Sequence, residues 1–395
     1  MEHSKQNFFD QKKSWSHFKD EILRNYLKPY ITKITKNKNQ LIIIDCFAGK
    51  GKFRDNSDGS PIIIMEAIKN FMERNDFCRI KAFFIENKYY KDLRINLEGY
   101  TNYNIFKGTF EENIEKISSL DPNNNLFIYI DPYGIKSLDF SYFTKIVNRK
   151  FSSLEILLNF NSIGFLREAC RVLKYFDLIK IEEVEEDYEV DDLLDFTKMC
   201  SIANGDYWIQ IINSFKDKQI NFYEAEEKFV NSYIDKLNSL FEYLIKIPIK
   251  TKIRNIPKYR IIFATYHPDG LILMADNMNR TWNKIVEKDR KGQKTLFEYD
   301  LYSSDVEKNI EEIIIDLLNK YNKNIDLKEL HVKLIKYFGF KFSFKDYRSK
   351  IKELEKDGLI EIKRRPEFTK TGKLNRSFDY NKNEIIIIFK NKNEK

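Results

Sequence analysis

The sequence predicts an α/β fold: a doubly wound, mostly parallel, seven-stranded Rossmann-like sheet with a helical insertion, followed by a C-terminal winged-helix domain. Three observations point there. Short apolar runs alternate with helical stretches from Leu41 to Phe160, the signature of successive βαβ units. Two of those runs end in residues with chemistry to offer, Asp45-Cys46-Phe47-Ala48-Gly49-Lys50-Gly51-Lys52-Phe53 and Asp131-Pro132-Tyr133-Gly134, and open α/β sheets hold their ligands at the carboxyl ends of strands. At 395 residues the chain also exceeds one ordinary core, so more than one domain is expected.

The elements follow in order. Trp15, Phe18, Ile22, Leu23, Tyr26 and Leu27 recur at helical spacing and predict an amphipathic helix ahead of the first strand. Strands are predicted at 41–46, 81–86, 104–107, 126–131 and 154–160, with helices near 60–73, 88–98, 110–119 and 139–148. After Asn161 the pattern turns mostly helical, about Phe165 to Tyr243, and includes an acidic run at 182–192 read as a solvated helix flank. Lys246–Arg254 and Lys258–Tyr266 then read as an antiparallel pair closing the sheet, before a helix at Gly270–Val286. The implied domains are a core at 1–164, a helical insertion at 165–245, closing strands and helix of the core at 246–300, and a winged helix at 305–395. This last segment is expected to hold three helices, about 305–320, 326–337 and 343–356, and two strands. Such a module meets nucleic acid about as often as protein.

Composition narrows the class. The chain is 42% hydrophobic and 32% charged, as globular proteins are, and no uncharged run is long enough to cross a bilayer, so a cytoplasmic protein is expected. Cys46, Cys78, Cys170 and Cys200 are too dispersed for a zinc ribbon or an iron–sulfur cluster, and with only four histidines no intrinsic metal is expected. Residues 305–395 carry 22 Lys and Arg against 16 Asp and Glu, which accounts for six of the eight net positive charges. A polyanion would land there.

The motifs point to a nucleoside. Gly49 and Gly51 permit close backbone approach, but the loop lacks the third glycine of a dinucleotide fingerprint and the Lys-Ser/Thr of a phosphate loop. That leaves a nucleoside without phosphates, with S-adenosylmethionine (SAM) as leading candidate and an ordinary strand-to-helix turn as the plain alternative. Glu86, ending the second strand, is placed to accept from both ribose hydroxyls. Thr109 and Phe110, after the third, are placed to meet the adenine edge. Asp131 and the Pro132 carbonyl suit an exocyclic NH2, and Tyr133 suits stacking on a base, which in a duplex would first have to flip out. A simple Asp-Pro turn is the alternative. Lys19, on the leading helix, is a candidate for the cofactor carboxylate.

In combination these residues resemble a family. Trp15-Ser-His-Phe-Lys19, Ile22-Leu-Arg-Asn-Tyr26-Leu27, Asp45-Cys-Phe-Ala-Gly49-Lys-Gly51, Gly59-Ser60-Pro61, Phe84-Ile-Glu86, Ile130-Asp131-Pro132-Tyr133-Gly134 and Tyr266-His267-Pro268-Asp269-Gly270 with Leu273-Met274 resemble the three-Cys-motif partner (TcmP) proteins over about residues 8–290. The resemblance implies a bacterial or archaeal class I SAM-dependent methyltransferase-like fold, paired with a separate three-cysteine, radical-SAM-like protein. It implies that Asp45, Phe47, Gly49 and Gly51 line the methionine side of SAM, that Glu86 meets its ribose, and that Asp131 and Tyr133 face the reacting side. One departure matters: amino-methyltransferases usually carry two prolines after the acid, and this chain carries Pro132 alone. Two functions remain open, methyl transfer to a nitrogen of a nucleic-acid or nucleobase-like substrate, and a non-catalytic accessory role in binding nucleic acid or the cysteine-bearing partner; a component of a phage-defence or mobile-element system is a third.

Overall fold

A computed structural model describes residues 14–75, 79–178, 194–249, 257, 259–292, 304–321 and 323–390. The acidic run at 182–192 lies outside the described residues. The chain divides into two compact units, residues 1–270 and 271–395.

In the first unit, helix α1 (Ser14–Ile34) precedes β1 (Leu41–Asp45), α2 (Ser60–Met72), β2 (Ile80–Glu86), α3 (Tyr90–Asn96), β3 (Tyr103–Lys107), α4 (Phe110–Ser118), β4 (Asn125–Ile130), α5 (Phe140–Val147) and β5 (Ser153–Phe160). Helices α6 (Ser162–Val172), α7 (Phe196–Ala203), α8 (Tyr207–Lys216) and α9 (Phe222–Asn238) follow, and β6 (Tyr243–Ile249) and β7 (Tyr259–Thr265) end it. The strands form one sheet in the order β3-β2-β1-β4-β5-β7-β6. β7 is antiparallel to both β5 and β6, so the sheet is mixed, with the other six strands parallel. This arrangement is consistent with a Rossmann-like methyltransferase fold.

Side chains alternate across the sheet with period two. Ile42, Ile44, Leu126, Ile128, Ile130, Leu154, Ile156 and Leu158 join the core shared with α4, α5 and the helices after β5. The opposite face carries Phe127, Tyr129 and Asp131 on and just beyond β4, and Glu155 and Asn159 on β5. Helix α1 covers it, with Ile22, Leu23, Tyr26, Leu27 and Ile31 fully buried at i, i+4 spacing. Tyr26 and Tyr30 pack on Phe127, at ring-centroid distances of 5.8 and 5.4 Å. The Tyr26 hydroxyl donates to the buried Glu155 at 2.7 Å. The insertion is tied to the sheet by Arg260 of β7, whose guanidinium grips Glu226 and Glu227 of α9, with Ser162 donating to Glu226.

Helix α10 (Pro268–Gly292) begins at the end of the first unit. The second unit continues with α11 (Ser304–Lys320), β8 (Asn324–Asp326), α12 (Leu327–Phe338), α13 (Phe344–Lys356), β9 (Ile360–Arg365) and β10 (Glu384–Phe389), whose strands pair antiparallel in the order β8-β10-β9. Strand β8 was not anticipated, because Asn-Ile-Asp is too short to show alternation. Its Asp326 also caps α12 by accepting from the Lys328 and Glu329 amides.

Burial pushes the Glu155 carboxyl up to about 8, against the hydrogen bonds of Tyr26 and Thr265 and the charge of Lys33. The stability that the neutral acid contributes is present in full below the unfolded value near 4.5 and is lost as pH rises through about 8. Glu155→Gln should therefore flatten the fall in melting temperature between pH 5 and 9 relative to the native chain. Parallel thermal melts across that range check this, and an unchanged slope would show that Glu155 is not the group responsible.

Candidate functional site

Parallel pairing brings the predicted motifs to one rim. β1 lies between β2 and β4 and parallels both, with Asp45 in register with Phe84 on one side and Tyr129 on the other. The carboxyl ends of β1, β2 and β4 therefore share an edge, and the order reverses between β1 and β4, the switch point where open sheets take ligands. Beyond β1 the backbone stays tied to both neighbours: the Cys46 amide donates to Tyr129 at 2.9 Å and the Ala48 amide to Ile85 at 3.1 Å.

The glycine loop is held by Glu86. Its Oε2 accepts from the Gly49 amide and its Oε1 from the amides of Lys88 and Tyr89, all at 2.8 Å. Gly49 and Gly51 adopt positive φ, 60° and 81°, and a Cβ on Gly51 would press on Leu93 at 3.1 Å. Phe53 opens a small turn, its amide bonded to Ser57, before the chain returns to Gly51 through the Gly59 amide at 2.8 Å and enters α2.

Asp45 is fully buried. Its Oδ1 accepts from the Phe47 amide at 3.1 Å, while Oδ2 is buried without a partner. Burial raises this carboxyl to about 7; Ser60 and the Phe47 amide oppose the rise, and the charges of Asp131 and Glu86 add to it. Asp45 thus feels both of the other acids at the rim.

Asp131 is the most heavily engaged. Lys19 donates to both its oxygens at 2.8 and 2.7 Å, Asn159 to Oδ1 at 2.7 Å and the buried Tyr129 hydroxyl to Oδ2 at 3.2 Å. These four bonds fill the roughly four lone-pair sites of a carboxylate. Lys19 reaches it because α1 runs antiparallel to β4: Tyr26 sits on Phe127, and two helical turns back toward Lys19 match the four residues from Phe127 to Asp131.

The other predicted residues take varied places. Pro132 is buried and Tyr133 is 51% exposed. Ala48 is buried, and the half-buried Phe47 packs on Phe110 at 5.8 Å. Thr109 caps α4: its hydroxyl accepts from the Glu112 amide and its own amide donates to the Glu112 carboxylate, which leaves the hydroxyl proton as its remaining donor. The Phe110 side chain, 1% exposed, belongs to the core between Phe47 and Tyr142. The sequence reading missed Asn159 and Tyr129. Asn159 was signalled by being the polar residue in the apolar run Ile156-Leu-Leu-Asn-Phe160, and Tyr129 by lying two residues before Asp131 on the same strand face.

No family model and no curated protein matches the chain. Among solved structures it is similar to a spermidine synthase from Thermotoga maritima, at 10% identity and TM-score 0.33 over 69% of this chain and 66% of that one. Protein LPL1258 of Legionella pneumophila is similar at 10% identity and TM-score 0.38, over 67% of this chain and 93% of that one. The methyltransferase domain of a bacterial Hen1 is similar at 8% identity and TM-score 0.26, over 62% of this chain and 98% of that one. The chain thus spans about two thirds of the spermidine synthase, and the description of the fold rests on its own strand order.

Glu86→Ala removes the acceptor of three backbone amides, each charge-assisted bond being worth about 1.5–3 kcal/mol when made. Hydrogen exchange should speed up at Gly49, Lys88 and Tyr89 while the amides of β1 stay protected. A Gly49 amide that kept its protection would show that other contacts shape the loop.

Proposed function

We propose that this rim binds SAM and that the protein transfers a methyl group to a nitrogen of a nucleic-acid or nucleobase-like substrate. The observation that carries the reading is Asp131: a carboxylate at the end of β4, at the switch point, held by Lys19, Asn159 and Tyr129 beside the acids ending β1 and β2.

The residues suit such a cofactor. Gly49 and Gly51 supply the positive φ that shapes the loop, the buried Asp45 Oδ2 lacks a donor, and Glu86, with three of about four lone-pair sites used, retains one for a ribose hydroxyl. SAM supplies an electrophilic methyl group when bound. The chain's part is to position the acceptor: Asp131 accepts N–H bonds from an amine and so keeps its lone pair oriented, and the Tyr133 ring, 51% exposed, is proposed to stack on a base. The acceptor that a second proline carbonyl would provide has a substitute in Asn159, whose Oδ1 is buried and unpartnered while its amide rests on Asp131.

Lys19 is the obstacle and the trigger. While it sits on Asp131 no lone-pair site remains for an amine, and a cofactor carboxylate offers the ammonium a second anionic partner. Drawing Lys19 away frees the acid, so cofactor binding would precede acceptor binding. The same saturation of Asp131 favours, as second reading, an accessory protein that keeps the fold without transferring methyl groups. In both readings a three-cysteine, radical-SAM-like protein is the proposed partner; Cys46 and Cys170 of this chain are buried and Cys200 is half-buried. The part of the second unit that follows α10, with helices α11 to α13 and a three-stranded antiparallel sheet, is proposed to be a winged helix that contacts DNA or RNA.

Calorimetry with SAM tests the site. Lys19→Met should weaken SAM by about tenfold, the loss of one charge-assisted contact. Asp131→Ala should bind SAM at least as tightly as the native chain, because Lys19 no longer has to be drawn off, yet abolish transfer of labelled methyl groups to nucleic acid. Native protein that ignores millimolar SAM would remove the enzyme reading. Native-like transfer by the Asp131→Ala protein would remove Asp131 from the chemistry.

A further inference from the structure

The end of β9 and the first part of the connection to β10 gather positive charge more densely than the rest of the second unit. Residues 363–376 hold six Lys and Arg against one Glu. Two of the six serve the fold: Arg364 bonds the Ser377 carbonyl and pairs with Glu355 at 3.6 Å, and Arg365 pairs with Glu384 at 3.4 Å. The remaining four, Lys363, Lys370, Lys373 and Arg376, are exposed and have no partner among the described residues.

The tip is ordered by its own hydrogen bonds. Phe368 and Leu374 face each other across an antiparallel bridge, and the Thr369 amide donates to Lys373 at 2.8 Å to close the turn, with Gly372 at φ 75°. Asn375 clamps the base: its amide bonds Glu367 at 2.7 Å and its side chain bonds Pro366 and Asn383, both at 2.8 Å. Yet Phe368 and Leu374 are each 55% exposed. A built hairpin therefore presents an aromatic and an aliphatic side chain to solvent, ringed by cations. Helix α13, where a winged helix usually reads DNA, is less suited. It mixes five cations with three acids, Lys350 pairs with Glu353 at 2.8 Å, and Arg348 stacks on Phe378 at 4.8 Å.

We infer that this hairpin, and not helix α13, is the nucleic-acid contact, and that it takes an unpaired strand. The inference rests on the nucleic-acid reading of the second unit. Cations matched to phosphate and an exposed ring matched to a base face are the two components of single-strand recognition. A duplex hides its base faces, and wedging Phe368 between stacked pairs would have to be offset by wrapping more surface than a four-cation hairpin offers. Three of the four cations are lysines, point charges that meet phosphate and carry no base-reading geometry, which implies little sequence preference.

Fluorescence anisotropy of the full chain with a labelled 20-nucleotide single strand and the corresponding duplex tests this. The single strand should bind more tightly, Phe368→Ala should weaken it by about tenfold, and Lys370→Ala with Lys373→Ala should lower the slope of log K against log salt by about 1.4. Lys345→Ala with Lys352→Ala on α13 should change little. Duplex bound as tightly as single strand, or losses confined to the α13 variant, would overturn the proposal, as would polyglutamate competing as well as nucleic acid. SAM calorimetry on Phe368→Ala, expected to be native-like, separates failure of this contact from failure of the cofactor site.

Discussion

The site depends on one constraint: β1 is clasped between two parallel neighbours. Parallel pairing forces the ends of β2, β1 and β4 onto the same edge, and the amides of Cys46 and Ala48 extend the clasp past the strand into the loop. Three acids from distant parts of the chain then meet because each ends its strand. Reversal of any of the three strands would move its acid to the opposite edge of the sheet.

Bringing three carboxylates together in a poorly solvated place is costly, and each is relieved differently. Glu86 accepts three backbone amides, so its charge is spread over the glycine loop and the start of α3. Asp131 takes a lysine, an amide and a phenol. Asp45 has the Phe47 amide on one oxygen and Ser60 beside it, too little to offset burial, and is raised to about 7. The least relieved acid is the deepest. The cover of α1 supplies much of the relief, since Lys19 and Tyr26 answer Asp131 and Glu155 from the same helix.

The second unit has a different physical economy. Its core closes around Leu330, Leu334, Ile351 and Ile385 with the buried His331 among them, and its surplus charge sits on the end of β9 and the connection to β10, where Lys370 and Lys373 have nothing within the described chain to neutralise. Charge left uncompensated on an ordered hairpin is stabilised by a partner of opposite sign.

The sequence alone determined the strands of the large sheet and most helices, because strict alternation and apolar runs depend only on local period, and it marked Asp45, Glu86 and Asp131 as strand-end acids. It also carried the glycines whose positive φ the loop requires. What it did not carry was partnership. The occupation of Asp131 by Lys19, 112 residues away, the support of Asn159 and Tyr129, and the loss of Thr109 to a helix cap were decided by tertiary packing. Hydrogen-bond partners are selected by distance in space, and residue spacing along the chain encodes that distance only within a single helix or strand.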